Sequence, residues 1–85
     1  MWYLYLIECR NGALYAGITT DVAKRYAKHL GGKGAKYTRA NPPKKLIGAK
    51  QYANRSAASK AEYAIRQLPK ELKADFLRSK NKHEL

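Results

Sequence analysis

The stretch from Trp2 to Cys9 is apolar at both parities, Tyr3/Tyr5/Ile7/Cys9 in one set and Trp2/Leu4/Leu6 in the other. Alternate side chains of a strand point to opposite sides, so this pattern predicts a central strand covered on both faces. A second strand is predicted over residues 13–18, and Asn11-Gly12 marks a hairpin turn between the two. A two-residue loop would pair Tyr15 with Glu8 and send Tyr5 and Tyr15 to opposite faces. A three-residue loop of Arg10, Asn11 and Gly12, with Gly12 left-handed in a bulge, puts both tyrosines on one face. The three-residue loop is expected if the two tyrosines share a site, and Gly12 can supply the positive φ it needs.

Further along, the apolar period lengthens to that of helices. Thr20 or Asp21 can cap a helix running to about Leu30, with Val22, Tyr26 and Leu30 as its buried stripe and with Arg25 and His29 sharing a face beside it. Gly31, Gly32 and Gly34 end that helix. Lys33, Lys36 and Arg39 follow on a loop or short helix that also holds Tyr37. Asn41-Pro42-Pro43 breaks the chain before a third strand over residues 45–52. Asn54 or Ser56 opens a helix with Ala58, Ala61, Ile65 and Leu68 on its apolar stripe. Pro69 begins another, with Leu72, Phe76 and Leu77 inward. The expected architecture is α+β in the order β-β-α-β-α-α, a small three-stranded antiparallel sheet flanked by helices.

Composition adds a partner class. Eighteen Lys and Arg against six Asp and Glu leave +12 on 85 residues, which points to a polyanion, most often nucleic acid. An architectural or ribosomal binder would carry the same excess. The length suits one domain with a single core, expected over residues 1–78 with a polar tail at 79–85, and leaves no room for a separate recognition domain. The lone Cys9 excludes an intramolecular disulfide and a multi-cysteine zinc site, in keeping with a reducing cytoplasm. Residues 2–7 are too short to span a bilayer and lack a signal-peptide pattern, so a cytoplasmic protein without a membrane partner is expected. The phosphate-binding P-loop pattern is absent, and no organic cofactor is expected.

The chemistry-bearing residues form an ordered series: Tyr5, Tyr15-Ala16-Gly17, Arg25, His29 and Glu62. Taken singly, each has a bland reading, since strand tyrosines pack cores, helix arginines face solvent, and Glu62 can pair with Arg66 one turn on. Taken together, the series resembles the GIY-YIG endonuclease superfamily, in its small stand-alone bacterial form, over nearly the whole chain. Tyr5 matches the end of the first signature, Tyr15 and Gly17 the second, Arg25 the helix arginine, and Glu62 the metal-binding glutamate. His29 falls where relatives carry histidine or tyrosine. Tyr3 replaces the first glycine of the signature, and Ile18 stands where repair-nuclease relatives place a lysine.

The resemblance implies a metal-dependent endonuclease. Glu62 would hold one Mg²⁺, with Mn²⁺ as a substitute, because a carboxylate, waters and phosphate oxygens make a hard oxygen sphere. Tyr15 would activate water and Tyr5 would bond the water or phosphate. Arg25 would stabilise the transition state, and His29 would orient Tyr15 or relay its proton. Lys33, Lys36, Arg39 and Arg55 are candidates for backbone contacts, with Tyr37 for base stacking. Size and groove logic favour single-stranded DNA, little sequence specificity and a monomer. The alternatives are a structure-selective nuclease on branched DNA, a non-catalytic nucleic-acid binder, or a protein-interaction module.

Overall fold

The computed structural model describes residues 1–78; the tail expected at 79–85 lies outside them. Its elements are β1 (Trp2–Cys9), β2 (Leu14–Thr19), α1 (Val22–Leu30), α2 (Lys36–Ala40), β3 (Pro43–Tyr52), α3 (Arg55–Arg66) and α4 (Lys70–Arg78). The strands form one antiparallel sheet in the order β2-β1-β3, the α+β arrangement that the sequence pattern predicts. β1 is central because only it is apolar at both parities, and Leu4, Tyr5, Leu6, Ile7 and Cys9 are all buried.

The two faces of β1 serve two cores. Leu4 and Leu6 pack with Ala16, Ala61 and Ile65, under α3 and α4. Tyr5, Ile7 and Cys9 pack on the other face with Tyr15, Val22, Tyr26 and Leu46, under α1. Burial pushes the Cys9 thiol up, which keeps it a small core residue.

The hairpin has the three-residue loop. Cys9 N–H donates to the Ala13 carbonyl at 2.8 Å, Gly12 N–H returns to the Cys9 carbonyl at 2.9 Å, and Gly12 has φ +89°. The register therefore pairs Tyr15 with Ile7 and Tyr5 with Gly17, which places both tyrosines on the α1 face. Asp21 caps α1 by accepting from Lys24 N–H at 3.0 Å, and Asn54 caps α3 by accepting from Ala57 N–H at 2.8 Å.

Three details depart from the predicted pattern. Leu30 is exposed, and the buried end of the α1 stripe is His29, whose two ring nitrogens both find partners. Leu72 is also exposed, because the inward arc of α4 runs through Lys73, Ala74, Phe76 and Leu77. β3 begins earlier than expected, at Pro43, which pairs with Cys9 after an irregularity in register. Proline is tolerated there because the strand is at an edge.

Candidate active site

Tyr5 leaves the middle of β1 on the α1 face and its ring lies over Gly17, its cross-strand partner. A Cβ at position 17 would collide with the phenol oxygen, so the tyrosine and the glycine act as a pair. The Tyr5 oxygen lies 2.9 Å from His29 Nε2. His29 Nδ1 lies 2.6 Å from Thr38 Oγ1, and the Thr38 hydroxyl donates to the Ala35 carbonyl at 3.0 Å.

The direction of the chain follows the His29 tautomer, and the bond from Thr38 to Ala35 selects one. A hydroxyl has one hydrogen, and that of Thr38 is committed to Ala35. Thr38 therefore accepts from His29, the imidazole carries its proton on Nδ1, and Nε2 offers a lone pair to the Tyr5 O–H. Burial, and then the charge of Arg25, hold His29 below its usual range, which keeps the ring neutral. Burial pushes Tyr5 up, against the opposing hydrogen bond from Arg25. Both shifts favour a Tyr5 that keeps its proton and donates it. Gly34 closes this pocket, since a Cβ there would run into the His29 ring.

Tyr15 sits two residues before Gly17 and packs edge-on against the same imidazole, with ring centroids 5.5 Å apart at 63°. Its other neighbour is Tyr37, parallel to within 8° at 6.1 Å. Asn11 of the hairpin loop donates to the Tyr37 hydroxyl at 3.2 Å and to Asn41 Oδ1 at 3.0 Å, which ties α2 to the turn.

Glu62 reaches the site from the opposite layer. α3 buries Ala58, Ala61 and Ile65 against the sheet, and Glu62 comes out at the β2 edge with its side chain 23% exposed. Its Oε2 accepts from Arg66 Nη2 at 2.7 Å, and the same Nη2 donates to the Ala16 carbonyl at 3.0 Å. The Cys9–Ala13 bond sets the alternation that turns the Ala16 carbonyl outward. Arg66 thus holds Glu62 beside Tyr15 and Gly17, close enough that its charge bears on the Tyr5 phenol.

A cleft of about 430 Å³ opens along this edge, lined by Leu14, Tyr15, Ala16, Tyr37, Arg66 and Lys73. A smaller one of about 210 Å³ lies at the far end of β2, where Arg25 is joined by Lys24 and Lys28. Among the described residues no three His, Cys, Asp or Glu side chains converge. A cation at this site would therefore take Glu62 as its one protein carboxylate and complete its shell with water and substrate oxygens. Among the described residues Arg66 engages one Glu62 oxygen and no other bond to the carboxylate is seen, so the donor set fits a hard divalent ion such as Mg²⁺ and not a protein-only cage.

The fold thus gathers Tyr5, Tyr15, Arg25 and His29 on one face and brings Glu62 to them across the β2 edge. His29 bonds Tyr5 and contacts Tyr15 only through its ring. Tyr37 borders the cleft, and Lys33, Lys36 and Arg39 are exposed on or before the same short helix. Arg55 stacks on Trp2 at 5.4 Å, at the opposite end of β1 from the Asn11 loop, some ~26 Å away for an eight-residue strand. Sequence reasoning did not find Thr38, Gly34 or Lys73, and it gave Arg66 only as the i+4 partner of Glu62, without its bond to the Ala16 carbonyl. Gly34 looked like one more helix-ending glycine, and Thr38 and Arg66 bond residues far away in the chain.

A family model described as the GIY-YIG catalytic domain matches residues 1–74. The chain is 49% identical over 78 residues to the UPF0213 protein XAC3202 of Xanthomonas axonopodis pv. citri, covering 92% of this chain and 76% of that one. It is 51% identical over 75 residues to the UPF0213 protein H16_B0156 of Cupriavidus necator, covering 88% and 82%. Among solved structures, the UPF0213 protein BH0048 of Bacillus halodurans aligns with a TM-score of 0.56 at 37% identity, over 96% of this chain and 88% of that one. The E. faecalis protein EF2693 aligns with a TM-score of 0.60 at 37% identity, over 89% and 81%. The family match supports a nuclease-type function, while the relatives' names carry no activity. No helix among the described residues is long and apolar enough to cross a membrane.

Proposed function

This chain belongs to the GIY-YIG catalytic-domain family, and on that premise we propose that it is a divalent-metal-dependent endonuclease. Its favoured substrate is single-stranded DNA, cut internally with little sequence preference, in a reducing cytoplasm. The observation that carries the reading is the convergence of two tyrosines, an arginine and a histidine on one sheet face with a carboxylate delivered across the strand edge.

Each residue then has a defined task. Tyr15 borders the cleft and is the group that receives the proton of the attacking water. Tyr5, held by His29, offers its remaining lone pairs to the attacking water and fixes the line of attack. Arg25 neutralises charge that builds on the phosphoryl oxygens as the water oxygen bonds phosphorus and the opposite P–O bond breaks. Neutral His29 stores no charge of its own and keeps Tyr5 in place. Glu62 would hold the cation, whose chemistry is to polarise the phosphate and ease departure of the leaving oxygen. The half-exposed Arg66 pair contributes only ~0.5 kcal/mol, so it positions Glu62 without preventing it from binding a cation.

A second reading draws on that same ion pair. An i,i+4 Glu62–Arg66 bridge is also what a solvated helix face forms, and it suits a non-catalytic nucleic-acid binder. End-labelled single-stranded and duplex DNA, incubated with Mg²⁺, Mn²⁺ or EDTA, separates the two. The nuclease cuts internally only with metal, and Glu62→Gln slows it by about 10²-fold or more, the scale lost with one transition-state electrostatic group. Binding without cutting, on branched DNA as well, would establish the binder instead.

A further inference from the structure

The cleft beside Tyr15 has two walls of different chemistry. One is aromatic, with Tyr15 and Tyr37 parallel and Tyr37 40% exposed. The other is cationic, formed by Arg66 of α3 and Lys73 of α4, and among the described residues no carboxylate lines the cleft itself. β2 contributes no charge here, since Ile18 packs into the apolar core.

Arg66 is built into this wall. Its Nη2 gives both hydrogens to fixed acceptors, the Ala16 carbonyl and Glu62. A guanidinium has five N–H donors, so three remain for an anion while the side chain is already held. Pre-fixing an arginine in this way lowers the ordering penalty of gripping a phosphate. Lys73 adds a second positive charge to the same wall. The cleft's volume lies within the range of about 300–1,000 Å³ typical of small-ligand sites.

We propose that this cleft seats one unpaired nucleotide next to the scissile phosphate, its base against Tyr37 and its phosphate on Arg66 and Lys73. The proposal rests on the nuclease reading above and names its substrate contact. An aromatic platform facing fixed cations is the arrangement that holds a single strand irrespective of sequence, because every base has a π-face. A base kept within a stacked duplex cannot offer that face.

The test is a titration of ¹⁵N-labelled protein with an oligothymidylate in EDTA, with binding isotherms at several salt concentrations for wild type, Arg66→Gln and Lys73→Gln. Amide shifts are expected to concentrate at Leu14, Tyr15, Ala16, Tyr37, Arg66 and Lys73. Each variant should bind several-fold more weakly, with a log–log salt slope shallower by about 0.7. Arg66→Gln also removes the bond to the Ala16 carbonyl; should it fail to fold, Lys73→Gln carries the measurement. Shifts confined to other faces, no binding, or a Lys73→Gln slope equal to wild type would overturn the subsite. Wild type that binds through the cleft and cuts no DNA with metal overturns the nuclease and leaves the subsite. Wild type that cuts while Lys73→Gln keeps both slope and rate overturns the subsite alone.

Discussion

His29 can be buried because both ring nitrogens are bonded, and this makes its protonation a property of the fold. Its folded pKa lies below the unfolded value, through burial first and Arg25 second. Between the folded value and the ordinary one near 6.5 the unfolded chain binds more protons. The His29 contribution to stability is therefore complete above about pH 6.5 and is lost as pH falls through the folded value. Protonation would also force Nε2 to donate, reversing the Tyr5 bond. The melting temperature is expected to fall between pH 7 and 5, and His29→Gln should flatten that part of the profile; an unchanged slope in the variant would assign the acid sensitivity elsewhere. At this scale the sequence spacing was enough to nominate Tyr5, Tyr15, Arg25, His29 and Glu62. It was silent on Thr38, which meets His29 from 9 residues away, and on the bond of Arg66 to Ala16, 50 residues away, though it gave the pairing of Arg66 with Glu62. A single hydrogen bond between elements leaves no periodic trace.

The hairpin is the element that converts sequence into site geometry. One residue fewer in its loop would turn Tyr15 away from Tyr5 and His29, since strand faces alternate. Gly12 carries the left-handed conformation at φ +89°, where an L side chain costs roughly 1–2 kcal/mol. Gly12→Ala is therefore expected to lower stability by about that amount, read as a shift of the urea midpoint at constant slope. A larger loss of nuclease rate than the folded fraction explains would indicate that the register, and with it Tyr15, has moved. This loop was legible in the sequence because a glycine and a facing requirement agreed on one length. Leu30 and Leu72 were not placed correctly, because periodicity identifies a stripe without showing where a helix runs off the sheet. The early start of β3 at Pro43 escaped for a related reason: an edge strand tolerates proline, and the sequence does not announce which strands are edges.

Across the whole molecule, one central strand supports two cores, and the site forms where the two layers meet at a strand edge. With +12 on 85 residues, like charges crowd the compact state more than the unfolded chain. Added salt from about 10 to 150 mM shortens the Debye length from roughly 30 to 8 Å, and the melting temperature is expected to rise over that range; a flat or falling trend would mean that the positive charges are already locally compensated. That same surface has a second consequence, at the borders of the sheet. A three-stranded sheet has two unpaired rims, and exposed rims recruit strands from neighbouring molecules. On one rim β3 begins at Pro43 and carries Lys44, Lys45 and Lys50. On the other, the Arg66 guanidinium covers the outward carbonyl of Ala16. A stray strand meets a proline and lysines on one side and a fixed cation on the other, so the basic surface also guards the sheet against growth by its own kind.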